Sequence, residues 1–358
     1  MADVVTLDGS HGEGGGQILR TALALSALTG TPVRLVHIRA GREQSGLRPQ
    51  HLAAVRALGT ICGANIQGGA LDSRTLLFEP TVEPQAGSYR FDVARISAEA
   101  GRGGSAGSVT LLFQSLLPAL ALATGDSQLT LIGGTHVRWS PPYHYLAEVY
   151  MPMVERLGLR ARLELGRWGW YPQGGGEVVA HITGLGPTPQ NLEPLTLLER
   201  GKLEEVWGIS AASRLPDHII QRQKDQAIAR LRARHIKADI DAIQAPSVGP
   251  GTVLFLLAQY EHLTAGFVGY GRLRYPAEKV ADDAVDAFEQ HLISKQALDP
   301  HLADQIILPL ALVPGTSSFT TSQITRHLLT VGWVVEQMLS RQVVVEGQEG
   351  EPGTVHVR

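Results

Sequence analysis

The feature that most narrows what this chain can fold into is an order of elements that recurs along it. GEGGGQILRTALALSALTG, from Gly12 to Gly30, runs from a glycine-rich turn into a helical pattern with Ile18, Ala22 and Leu25 spaced i, i+4, i+7, and closes on Gly30. A strand-like TPVRLVHI follows, then the loop RAGREQSG, then RPQHLAAVRALGTICGA, which lines Leu52, Val55, Leu58 and Ile61 along one helical face. About 95 residues on, the order returns. GSAGSVTLLFQSLLPALALATG (Gly104 to Gly125) supplies turn and apolar helix, SQLTLI a strand, GGT (Gly133 to Thr135) a glycine loop, PPYHYLAEVYMPMVERLG a helix and RARLEL a strand. The matching ends, SALTG with LATG and RALG with ERLG, favour duplication of an α/β unit of roughly 100 residues over a chance alternation of elements.

After YPQGGGEVVAHI the stretch TGLGPTPQNLEP (Thr183 to Pro194) reads as a linker from its Gly/Pro density. Beyond it the composition changes. PDHIIQRQKDQAIARLRARHIKADI is a charged amphipathic helix, GPGTVLFLLAQY a turn into a buried strand, and AEKVADDAVDAFEQHLI an acidic helix. LADQIILPLALVPGTSSFTTSQITRHLLTVGWVVEQMLSRQVVVEG then resembles a further copy of the glycine-turn, helix, strand pattern. The expected fold is α/β: a large domain of repeated units over 1–186 and 291–358, interrupted by a smaller inserted α/β domain at 187–290.

A 44% hydrophobic fraction supplies the core such a fold needs, and 40 glycines without a three-residue period exclude collagen. With 31 Lys+Arg against 34 Asp+Glu, the formal charge of -3 excludes a global basic field for nucleic acid, so any such contact is local. Lysine accounts for only five of the cations (Lys202, Lys224, Lys237, Lys279 and Lys295). The rest are arginine, whose rigid fork suits phosphate. One cysteine, Cys62, excludes a disulfide framework and a cysteine-rich zinc site. Neither a basic-then-apolar leader nor an uninterrupted apolar run of about 18 residues occurs, so the expectation is a soluble cytoplasmic protein with no membrane partner. An oligomer is left open.

Several loops carry candidate chemistry. GEGGG ahead of a helix exposes backbone N–H groups where the helix adds positive potential, which suits a phosphate, and Arg20 follows in the first turn. It is neither a P-loop nor a G-x-G-x-x-G fingerprint. Glu13 would repel phosphate there unless a divalent cation stood between them, so it is either a metal-bridging carboxylate or a solvated side chain of a flexible turn. Arg39, Arg42 and Arg48 share the next loop and suit a polyphosphate or a nucleic-acid backbone. Gln50 and His51, which follow, either cap their helix or face the ligand. Gln114 interrupts an otherwise apolar helix and is a structural hydrogen-bonder or part of a pocket. His327 lies beside the stripe formed by Ile324 and Val331, behind the hydroxyl-rich PGTSSFTTSQ. As an interior histidine it is unremarkable, whereas at a helix start its pKa would be lowered and the ring kept neutral, as a nucleophile requires. Asp304, 23 residues earlier, is a candidate orienting or metal-binding carboxylate. H-E-x-x-H, G-x-S-x-G and a K-x-D-G adenylation lysine are all absent, since Lys237 begins KADI.

In order along the chain, LDGSHGEGGGQILRTALALSALTG, IRAGREQSGLRPQHLAAV, SAGSVTLLFQSLLPAL, WYPQGGGE, HLADQIILPLAL and the His327 helix resemble the motifs of the RNA 3'-terminal phosphate cyclases. The similarity spans nearly the whole chain and is weakest across the insert. It implies three repeated α/β units similar to those of enolpyruvyl transferases, with a small α/β insert. It further implies an ATP-dependent ligase-type enzyme of RNA processing that requires a divalent metal, magnesium or manganese. His327 would attack the α-phosphorus of ATP to give a covalent histidine-AMP. AMP would pass to the RNA 3'-phosphate, and the neighbouring 2'-OH would close a 2',3'-cyclic phosphate. By motif, Glu13 would be the metal or ATP ligand, Arg20, Arg39 and Arg42 phosphate contacts, and Gln50 an active-site polar group. Gln114 and the stretch His301, Leu302, Ala303, Asp304 and Gln305 would border ATP. Two positions depart from the family pattern: His136, where Asp or Asn usually follows GGT, and His301, where a tyrosine often stands. The competing class is the non-catalytic cyclase-like proteins of ribosome assembly, which lack the nucleophilic histidine; an enolpyruvyl transferase is a weaker third.

Overall fold

The structure, a computed structural model, describes residues 3–99, 106–189 and 191–358. The glycine turn expected to open the second copy lies partly outside the described residues, at 101–105.

Three four-stranded sheets share one topology. The first holds Val5–Asp8, Val33–Val36, Asn65–Gln67 and Leu76–Glu79; the second Ser88–Asp92, Ser127–Gly133, Ala161–Arg167 and Gly176–Ile182. The third holds Thr196–Leu197, Ser317–Thr321, Val343–Glu346 and Gly353–Val357. In each, the strands lie in the spatial order first, second, fourth, third. In each, the first two strands pair in parallel and the others antiparallel. Parallel neighbours need a crossover, and in each unit a helix provides it, preceded in the second unit by the short helix Val93–Glu99. Those helices are Gly16–Thr29, Val109–Ala121 and the Pro300–Gln305/Ile307–Ala311 pair. A second helix precedes the closing hairpin: Pro49–Ile61, the run from Tyr143 to Arg156, and Arg326–Met338. The run from Tyr143 widens into a π-turn at Leu146–Tyr150, just ahead of Pro152, whose ring has no N–H and crowds the carbonyl of Glu148.

A fourth sheet, Ala238–Gln244, Leu203–Ser213, Gly251–Tyr260 and Thr264–Tyr270 in spatial order, is covered by helices Asp217–Ala233 and Ala277–Ser294. It enters the third unit between that unit's first strand and first helix. Thr196–Leu197, expected within the insert, pairs instead with Ser318 and Phe319 of the third sheet, and the insert's last helix runs on to Ser294.

The first helices explain the apolar runs of the sequence. Gly16–Thr29 packs against Val109–Ala121, Pro49–Ile61 and Arg326–Met338, so it is buried nearly all round. Phe113, Leu116, Leu117 and Leu120 are enclosed in the same way, each worth about 1.5–3 kcal/mol of burial. Among the described residues no helix is long and apolar enough to cross a membrane.

Candidate active site

In the first and third units, loops leaving the parallel strands converge on one seam. Asp8 opens the first loop, its Oδ1 accepting from Ser10 N–H at 2.8 Å and Ser10 Oγ at 2.7 Å, bonds that lower its pKa. The turn then meets helix Arg326–Met338 of the third unit. Glu13 N–H donates to Thr330 Oγ1 at 3.3 Å, and His11 stacks on Trp333 with ring centroids 4.0 Å apart. Gly12 between them is left-handed at φ 56°, and a Cβ there would overlap Thr330 Oγ1, so the close approach requires glycine.

Glu13 is the hub. Its Oε2 lies 2.7 Å from His327 Nε2 and accepts from Gln17 Nε2 at 3.1 Å, while its Oε1 is bound by Arg42. Burial opposes its charge, but His327 and Arg42 outweigh that and hold the carboxyl down at about 2. His327 is the second residue of its helix, behind Thr325, whose hydroxyl accepts from Leu328 N–H at 3.0 Å. Ile324 and Val331 are buried, but 49% of the His327 side chain is exposed. The expected lowering of its pKa is overturned. Burial does act that way, yet the Glu13 hydrogen bond and the charges of Asp304 and Glu13 together carry the imidazole above its ordinary value. In so exposed a setting the ion pair itself is worth about 1 kcal/mol at most.

The first helix starts at the same place. No side chain caps it at Gly15, so its first N–H groups remain available to an anion. Arg20 is brought down to about 10 by burial, against the opposing charges of Asp304 and Glu13. Burial pushes the Asp304 carboxyl up to about 7, against the pull of His301 and His327. A Cβ on Gly16 would overlap His51 Nε2 and come 2.8 Å from an Arg20 guanidinium nitrogen, which puts all three in one cluster. His51 takes the capping alternative. Its Nδ1 accepts from Arg48 N–H at 3.1 Å and caps the helix, and the other nitrogen faces Gly16. Burial, then Arg20, Arg39 and Arg48, depress its pKa far below the ordinary value.

The three loop arginines divide. Arg42 goes to Glu13 and Arg48 pairs with Asp72 at 2.6 Å. Arg39, left-handed at φ 55°, has its pKa lowered by burial and by both neighbours. Gln50 lies against the second unit, where a Cβ on Gly107 would come 3.0 Å from the Gln50 Cβ. Gln114, half-buried rather than enclosed, donates to Gln305 Oε1 at 2.5 Å, so the second and third units meet through the two amides. His301 is exposed; Leu302 and Ala303 point into the core. His136 is enclosed, stacked 3.9 Å from Trp168 and bonded to Thr135 Oγ1 at 2.8 Å and His144 Nδ1 at 3.0 Å. That departure from the family pattern is taken up by packing.

Sequence reasoning missed the support beneath these residues. Asp299 Oδ1 accepts from His301 and Leu302 N–H at 2.9 and 3.1 Å, and Tyr145 OH donates to both of its oxygens at 2.8 and 2.9 Å. Asp-Pro ahead of an apolar run is an N-cap signature that was available. Nothing in the sequence marks the His11–Trp333 stack or Thr330.

Fold and site together define a class: a mixed α/β chain of repeated units that gathers a histidine, carboxylates, arginines and an uncapped helix start at the seam between units. The chain belongs to the RNA 3'-terminal phosphate cyclase family, whose model matches residues 11–345. It is 47% identical over 356 residues to the RNA 3'-terminal phosphate cyclase of Methylococcus capsulatus, covering 99% of this chain and 96% of that protein. It is 46% identical to that of Nostoc punctiforme (96% of each chain) and 41% identical to that of Methanopyrus kandleri (99% of each). Among solved structures, the enolpyruvyl transferase NikO from Streptomyces tendae matches with a TM-score of 0.37 and 13% identity, covering 99% of this chain and 48% of that one.

Proposed function

We propose that this chain uses ATP to convert the 3'-terminal phosphate of RNA to a 2',3'-cyclic phosphate, with His327 as the nucleophile. The observation that carries the reading is the Glu13–His327 contact of 2.7 Å beside an uncapped helix start and an arginine cluster. A ring nitrogen of His327 attacks the α-phosphorus, the bond to the bridging oxygen breaks, and pyrophosphate leaves. An oxygen of the RNA 3'-phosphate then displaces the histidine from the same phosphorus. The adjacent 2'-OH attacks the activated 3'-phosphorus and expels AMP. The hydroxyl is already positioned, a proximity worth up to about 7–11 kcal/mol in well-oriented systems, and DNA lacks it.

The residues of the chain have definite work in this scheme. Arg20, Arg39 and Arg42, with the first-turn N–H groups, bind the phosphates. Gln114 and the turn from His301 to Gln305 border the nucleotide, and Gln50 faces the RNA end. The Glu13 hydrogen bond and the charges of Asp304 and Glu13 favour a proton on the ring, and a ring nitrogen can attack only once its proton has left. When phosphate oxygens draw Arg42 away, Glu13 loses a charge partner and becomes a better acceptor for the Nε2 proton. No group of three or more His, Cys, Asp or Glu able to hold an ion occurs among the described residues. Glu13 alone therefore fits magnesium or manganese only in company with phosphate oxygens. Such an ion, when bound, would neutralise phosphate charge.

The test is an RNA labelled at a 3'-phosphate, incubated with ATP. Its end becomes resistant to phosphatase only when ATP is supplied, and a 2'-deoxy terminal nucleotide blocks closure. Equal conversion without ATP contradicts the reading.

A further inference from the structure

The loop after the second strand carries Arg39 and Arg42 in the first unit and leads to His327 in the third. Its counterpart in the second unit, 134–142, carries Arg138 and Trp139. Trp139 is 90% exposed and left-handed at φ 66°, a conformation that a bulky residue adopts only at a cost. The Arg138 guanidinium lies 5.1 Å from its ring centroid. The neighbouring strand brings a second exposed ring. His136 and Trp170 form a parallel bridge, and one residue beyond Trp170 stands Tyr171, 77% exposed, in the YPQGGGE motif that the site does not use. Two more exposed arginines adjoin the same stretch, Arg167 next to Trp168 in the chain and Arg214 next to Ser213, which accepts from Trp170 Nε1 at 2.8 Å. Arg167 bonds the Gly175 carbonyl at 2.6 Å and Arg214 the Ser247 carbonyl at 3.2 Å, so these guanidinium groups lie on backbone oxygens rather than on carboxylates. Burial keeps most aromatic rings of the chain inside, and two exposed rings among arginines are the pattern that stacks and holds single-stranded nucleic acid.

A chain of neighbouring backbone links the patch to the site. Gln50 touches Gly107, and the segment from Ala106 to Ser108 runs beside Gly134, with Val109 N–H donating to the Gly134 carbonyl at 3.0 Å. Trp139 is five residues past Gly134, a span of at most about 18 Å. That is the length of roughly five stacked nucleotides at about 3.4 Å each.

We propose that Trp139 and Tyr171, with Arg138, Arg167 and Arg214, form a docking surface for the RNA strand upstream of its 3'-phosphate, the rings stacking on bases and the arginines meeting phosphates. The proposal rests on the reading of the active site given above and adds the length of RNA that the protein grips.

Fluorescence anisotropy of 3'-phosphorylated oligoribonucleotides tests it, with a ten-nucleotide and a two-nucleotide probe. Trp139→Ala and Tyr171→Ala each weaken the long probe about 5- to 150-fold, the range of base–aromatic stacking, and leave the short probe unchanged. Trp139→Phe restores most of the affinity. Arg138→Gln lowers the salt slope for the long probe by about 0.7. Undiminished binding of the long probe by both alanine variants overturns the proposal, as does equal loss on both probes. A Trp139→Ala change in sedimentation with RNA affinity intact also overturns it, assigning the patch to self-association. AMP uptake from labelled ATP, measured in the same preparations, is equal in wild type and variants. Its absence from the wild type would contradict the active-site reading, while the anisotropy still decides the docking surface.

Discussion

Tyr145→Phe is the perturbation whose cost can be worked most directly from the structure. Tyr145 and Asp299 are both buried, and the phenol donates to both carboxylate oxygens at 2.8 and 2.9 Å. With the hydroxyl gone, Oδ1 keeps the N–H groups of His301 and Leu302, whereas Oδ2 keeps no partner among the described residues. A buried acceptor left unsatisfied costs about 1–3 kcal/mol, with charged groups at the upper end, so about 2–3 kcal/mol of stability is lost. Burial already raises the Asp299 pKa, and loss of the phenol raises it further. The deficit is therefore smaller where the carboxyl is protonated and grows as pH rises and the carboxylate forms. Urea titration at pH 4 and pH 8 measures this as a shift in midpoint at constant slope. Because Asp299 anchors the turn that carries Asp304 and Gln305, KM for ATP rises with little change in kcat. In an Asp299→Asn background the same Tyr145→Phe change costs less, about 1 kcal/mol. A midpoint within about 0.5 kcal/mol of wild type at both pH values would refute the anchoring argument.

Other expectations follow from single contacts. Gly12→Ala, which combines a left-handed backbone with an overlap on Thr330 Oγ1, slows AMP uptake at least about tenfold while circular dichroism shows a retained fold; a wild-type rate would contradict the packing of the loop on the third unit. Gln114→Leu removes the bond to Gln305 and raises KM for ATP more than it lowers kcat, which steady-state kinetics resolves. His291 is buried with neither ring nitrogen hydrogen-bonded among the described residues, and burial pushes it down to about 3 from 6.5. The unfolded chain thus binds more protons between those values, so this contribution is complete above pH 6.5 and lost as pH falls toward 3, by up to about 5 kcal/mol. His291→Phe should flatten that limb of the stability–pH curve, and an unchanged slope would count against a neutral buried ring.

Much of the fold was legible because the same physical pattern is written three times. Glycine turn, apolar helix and strand recur, and the long helices Gly16–Thr29 and Val109–Ala121 are apolar nearly all round because they pack against each other between units. The two-residue strand Thr196–Leu197 was not legible, since so short a segment has no periodicity and is defined only by its partner, Ser318–Phe319. At the site, residue types gave Glu13, Arg20, Arg42 and His327, which the fold brings together. The protonation of His327 could not be read the same way. Its helix start argued for a lowered pKa, but the sign is set by Glu13, 314 positions away in the chain, together with Asp304. Asp299 and Tyr145 are likewise long-range partners, and His136 needed its stack on Trp168 before its place was plain.

The central claim, that His327 carries AMP, is tested most directly by incubating the protein with α-labelled ATP and a divalent metal, without RNA. The account predicts a label on the protein that is lost in acid and retained in alkali, absent from His327→Ala, and released as AMP when an RNA 3'-phosphate is added. A His327→Ala protein that still takes up the label would contradict it.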